Sequence, residues 1–139
     1  MLDSKELVTR VTTCSRAERK TVEFARATVE LAKDLKRGRY ADKTATRIIT
    51  DSFLSALEYL NRGDGISVDD QVQLRVKDSS TVSGMDVINV HLSLSPERWA
   101  LVVKSAAQLE WPVSRLLRVV GFIAVEQVHR ELTGRRTAG

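Results

Sequence analysis

From Ile88 to Leu94 apolar and polar positions alternate, with Ile88, Val90, Leu92 and Leu94 set against Asn89, His91 and Ser93. A period of two marks a strand with one face on a core and the other in water. Ser95, Pro96 and Glu97 then predict a helix start. The serine suits the cap, the proline needs no N–H in the first turn, and the carboxylate sits at the positive end of the helix dipole. Trp99, Val102, Val103, Ala106 and Leu109 follow at helical spacing. Pro112 cannot lie inside that helix, so the pattern breaks there and restarts. From Leu116 to Val125 only Arg118 is polar. A helix apolar nearly all round is buried on most sides, and aspartate at Ile123 is therefore expected to unfold the protein. Gly121 costs about 1 kcal/mol against alanine in such a helix, and its expected return is the close approach of a second helix.

The front of the chain is less clear-cut. Residues 7–13 are rich in β-branched side chains and suit a strand of poor phase. Ser15-Arg-Ala-Glu18 has the form of a capping box. It predicts a helix running to about Arg37, with Val22, Ala25, Val29 and Ala32 on one stripe and Gly38 closing it. A second helix is predicted from Thr44 to Asn61, with Ile48, Ile49, Phe53, Ala56, Leu57 and Leu60 on its apolar face. Residues 1–63 thus form an N-terminal helical module. Either its order is a degenerate copy of the one at residues 86–133, or it is a plain helical hairpin in which residues 5–13 extend the first helix. Residues 64–85 form a connector, where Ile66, Val68, Val72, Leu74 and Val76 suit a short strand or hairpin and residues 78–84 a polar turn. Residues 134–139 read as a basic tail.

The C-terminal order of short strand, four-turn helix, break and apolar helix, over residues 86–133, resembles the ribbon-helix-helix family. The resemblance implies a mainly α fold with a short β-ribbon that enters the major groove of double-stranded DNA. It implies sequence-specific binding, as a transcriptional repressor or as an accessory factor on plasmid or phage DNA. Asn89, His91 and Ser93 would face base edges. The start of the second helix, Val113 and Ser114, would hold a phosphate on its backbone N–H groups, with Arg115 and Arg118 adding charge. Two departures stand out: the ribbon positions usually include a long cation, and Pro112 replaces a small or polar residue at the turn. In the family two copies pair their strands. The expectation is therefore a homodimer with the N-terminal helices packed outside, as a surface for a protein partner. Pairing with residues 7–13 of the same chain is the other route. The alternative function is an antitoxin-like or scaffold module that uses the fold only to dimerise.

Charge changes this picture little. A net charge of +4 permits nucleic-acid binding without demanding it. The connector sets Arg75 and Lys77 against Asp64, Asp69, Asp70 and Asp78, and so suits a phosphate backbone least. Arg16, Arg19 and Lys20 are expected on a solvated helix face, with phosphate contact as the rival role. The lone Cys14 excludes an intrachain disulfide framework and fits a cytoplasmic protein. No apolar run approaches the ~20 residues that cross a bilayer. No phosphate-binding glycine loop, nucleophile motif or metal-ligand spacing occurs. The expectation is a protein that is not an enzyme and takes no cofactor or metal.

Overall fold

The computed structural model describes residues 18–38 and 40–138, and side chains from residue 19 to residue 133. The expected strand at residues 7–13, Cys14, and Ser15 and Arg16 of the capping box lie outside these residues. The elements in order are β1 (Glu18–Ala25), α1 (Arg26–Arg37), α2 (Ala45–Leu60), α3 (Val68–Ser80), a 3-10 turn (Val82–Gly84), β2 (Val87–Leu94), α4 (Pro96–Leu109) and α5 (Val113–Ala138). The fold is mainly helical with one short antiparallel sheet of two strands. Among the described residues no helix is long and apolar enough to cross a membrane.

The first correction concerns β1. The segment expected to open a long helix is a strand, and the helix begins only at Arg26. Lys20, Val22 and Phe24 alternate with Arg19, Thr21 and Glu23, and Thr, Val and Phe favour the pleated backbone. The same residues also satisfy a helical stripe, so periodicity alone could not choose. Pairing decided it. β1 runs antiparallel to β2 with Arg19 opposite Ser93, Thr21 opposite His91, Val22 opposite Val90 and Glu23 opposite Asn89. The backbone groups of each strand that would otherwise be left open on that side are thereby satisfied. Arg26 N–H donates to the Asp86 carbonyl at 2.8 Å and closes one end of the ribbon.

This pairing also corrects the expected two-chain ribbon. The partner strand of β2 comes from the same chain, and it is residues 18–25 rather than 7–13. The order strand, helix, helix occurs twice, as β1-α1-α2 and β2-α4-α5. The halves are interleaved: β1 rests on α5, β2 contacts α2, and α2 lies along α5. One core results, with Phe24, Ile49, Phe53 and Leu57 from the first half and Leu92, Leu94, Val102, Leu116, Val119 and Val120 from the second. The N-terminal helices therefore do not sit outside as a separate surface, since α1 and α2 both pack on α5.

Local signals explain most helix ends. Thr44 accepts from Arg47 N–H at 3.1 Å, and Ser95 accepts from Arg98 N–H at 3.3 Å. Such caps satisfy amides that lack helical partners. α4 ends with Glu110 in the left-handed region at φ 59°, and Trp111 N–H returns to the Ala106 carbonyl. Pro112 then separates α4 from α5. The tail expected after residue 133 continues as helical backbone to Ala138.

The connector is the second correction. No strand forms at residues 66–76; Ser67 accepts from Asp70 N–H at 3.1 Å and starts α3, with Asp69 and Asp70 in its first turn. Val68, Val72 and Val76 fit the helical spacing of four as well as loose alternation. They are 74%, 48% and 54% exposed, while Leu74 is buried, so the apolar spacing did not mark the buried face. The preceding loop is pinned by Gln108. Its side-chain amide accepts from Ile66 N–H at 2.9 Å and donates to the Ile66 carbonyl at 2.8 Å. Ile66 is 3% exposed. Gln108→Ala is expected to cost about 1–3 kcal/mol in urea unfolding, because it leaves a buried N–H without its acceptor. An unchanged urea midpoint would mean that water replaces the side chain.

Candidate nucleic-acid interface

Alternation along two paired strands makes a single row of side chains on the outer face of the ribbon. β2 contributes Asn89, His91 and Ser93, all exposed, as its phase predicts. β1 contributes Arg19, Thr21 and Glu23, also exposed. The register sets these as three cross-strand pairs: Arg19 with Ser93, Thr21 with His91, and Glu23 with Asn89. At the centre Thr21 Oγ1 and His91 Nδ1 are hydrogen-bonded at 3.0 Å. When the hydroxyl donates to Nδ1, the imidazole keeps its second nitrogen, Nε2, as a donor. The opposite face of the ribbon carries Val22, Phe24, Val90 and Leu92 into the core. Lys20 lies at the border, its ammonium 4.7 Å from the centre of the Trp99 ring. That contact joins β1 to α4.

Three of these residues were not expected on the ribbon from sequence. Arg19 was expected on a helix face, and Thr21 and Glu23 were not singled out. The signal was present in the alternation of Arg19, Thr21 and Glu23 with Lys20, Val22 and Phe24. It was masked by the helical stripe through Val22, Ala25 and Val29. Arg19 supplies the long cation that Asn89, His91 and Ser93 lack.

The other expected contacts, Val113, Ser114, Arg115 and Arg118, lie on α5, the helix beneath β1, and not in the ribbon row. Val113 is half-buried against the core, and Ser114 is exposed in the first turn. Pro112 offers no side-chain acceptor at the cap position, and its carbonyl accepts from Arg115 N–H at 3.0 Å. The Arg115 guanidinium lies 3.7 Å from the Asp78 carboxylate of α3. Arg118 is half-buried, and its Nε is buried without a hydrogen-bond partner. At the start of α2, Arg47 holds the same third position that Arg115 holds in α5, and it pairs with Asp51 at 3.3 Å. The Arg47–Asp51 pair is exposed, and pairs of this kind contribute about 0–1 kcal/mol, whereas the Asp78 carboxylate facing Arg115 is largely buried.

A groove of about 970 Å³ lies elsewhere, between α2, α3 and α5. Its floor includes Ile48, Leu74, Val120 and Ala124, and no residue of either strand lines it. The ion pairs Lys43–Asp51 and Lys77–Glu126 are formed from lining residues. Compared with known proteins, the chain matches no family model, no curated protein and no solved structure.

Proposed function

We propose that this chain binds double-stranded DNA as a single-chain counterpart of the ribbon-helix-helix regulators, with the outer row of β1 and β2 in the major groove. It would act as a repressor or as an accessory factor on a defined DNA site. The observation that carries this proposal is the row itself. Six exposed side chains, each able to hydrogen-bond, stand on a two-stranded antiparallel ribbon. The major groove is about 12 Å wide and admits such a ribbon, and its floor presents donors and acceptors to side chains of these types. The repeated strand-helix-helix order and the interleaved packing of the two halves support the same reading. The net charge of +4 suits it.

The test is binding of the full chain to random-sequence duplex and then to a site recovered from it, across a range of salt. Phosphate contacts impose a steep fall in affinity with salt. Arg19→Ala, Asn89→Ala, His91→Ala and Ser93→Ala are expected to fold normally, since all four positions are exposed. Each is expected to weaken specific binding by about 1–3 kcal/mol where the contact is to a base. Unaltered specific affinity in all four variants would take the ribbon out of the mechanism.

A protein-binding scaffold is the second reading, favoured by the exposed Val68, Val72 and Val76 stripe of α3. It requires no salt-dependent retention on DNA, so the same titration separates the two.

A further inference from the structure

A ribbon made by two identical chains presents the same side chains twice, and the two-fold symmetry of the protein is mirrored in a palindromic site. Here the two strands come from one chain and differ at every outer position. Thr21 and His91 form the central pair. On one side of it stand Arg19 and Ser93, a guanidinium and a hydroxyl. On the other stand Glu23 and Asn89, a carboxylate and a carboxamide. The two ends of the row therefore have opposite charge, with the donor-only guanidinium at one and the acceptor-only carboxylate at the other.

These groups select different bases. A guanidinium donates twice to O6 and N7 of guanine. A carboxylate only accepts, so Glu23 suits the N4 amino group of cytosine, and it repels the acceptor oxygens of guanine and thymine. Asn89 both donates and accepts, and its bidentate match is adenine. Glu23 and Asn89 thus favour exocyclic amino groups at their end, and Arg19 favours a guanine at the other. Resting on the DNA-binding reading above, we propose that the ribbon recognises a non-palindromic duplex site in one orientation, one chain per site. Arg19 and Ser93 read a guanine-containing end, and Glu23 and Asn89 read an end that presents cytosine or adenine amino groups.

The experiment is selection of the full chain on duplexes with a randomised centre, followed by affinity and stoichiometry on three probes. These are the recovered site and two palindromes, each made by repeating one of its halves in inverted order. The expected result is an asymmetric motif, one chain bound, and at least tenfold weaker binding to both palindromes. Glu23→Gln is expected to relax base preference at one end only, and Arg19→Ala at the other end only, with circular dichroism unchanged. A palindromic motif bound at full affinity, or loss of preference at both ends in Glu23→Gln, would overturn the proposal while leaving DNA binding intact. Failure to enrich any duplex, with no retention on DNA at low salt, would overturn the DNA-binding reading itself and this proposal with it.

Discussion

Phe24→Ala is expected to destabilise the protein by about 3–5 kcal/mol, the range for truncating a buried phenylalanine. Phe24 is 0% exposed. Its ring meets Phe53 edge-on, with centroids 6.5 Å apart, and it lies against Gly121 of α5. A Cβ placed on Gly121 would lie 2.6 Å from Phe24 Cε1 and 2.8 Å from Cδ1. Glycine at this point of an otherwise apolar helix thus admits a ring from the strand above, not a second helix as the sequence suggested. Gly121→Ala gains about 1 kcal/mol of helix propensity and forces a fully buried ring to move, which typically costs about 1–3 kcal/mol. Net destabilisation is expected, and Phe24→Leu in the same chain should recover part of it, since residues in contact couple. Urea unfolding of the two single variants and the double variant measures this. A loss below about 1 kcal/mol for Phe24→Ala would mean that β1 is not seated on α5 as described.

The second large effect is a contrast between two positions four residues apart. Val119, in the N-terminal part of α5, is 0% exposed. Val119→Asp places a carboxylate where neither water nor a partner reaches it, a cost of several kcal/mol. Against a total stability of about 5–15 kcal/mol, that is expected to abolish cooperative unfolding at ambient temperature. Ile123 is only half-buried and lines the groove between α2, α3 and α5. There an aspartate keeps water, and the expected loss is about 1 kcal/mol, the centre of the range for single substitutions. Thermal melts followed by circular dichroism separate the two. Equal loss in both variants would mean that the groove is closed in solution. The sequence placed Ile123 among residues buried on most sides; the structure moves the intolerant position to Val119.

Much of the second half was legible because its signals are local. Alternation from Ile88 to Leu94 fixed which residues of β2 face outward, since a strand turns successive side chains to opposite faces. Ser95 and Pro96 set the start of α4, Pro112 separated it from α5, and Thr44 marked the start of α2. In each case the residue's own backbone preference or side-chain acceptor dictates the end of the element. Asn89, His91 and Ser93 were placed on the exposed face of β2 for the same reason.

What the sequence alone could not decide were choices between two local states of similar merit. Residues 18–25 fit both a helix and a strand, and β2, far along the chain, decided in favour of the strand by offering an unpaired edge. With that choice came Arg19, Thr21 and Glu23 on the outer face, and a ribbon closed within one chain. Val68, Val72 and Val76 fit helix and strand spacing alike, and the cap at Ser67 gave the helix. Backbone hydrogen bonds and caps are satisfied once and for the whole chain. The phase of β2 and the ends of α2 and α4 were therefore determined by neighbours in sequence, while the strand at residues 18–25, the burial of each side of α5 and the composition of the ribbon's outer row were determined by contacts that exist only after folding.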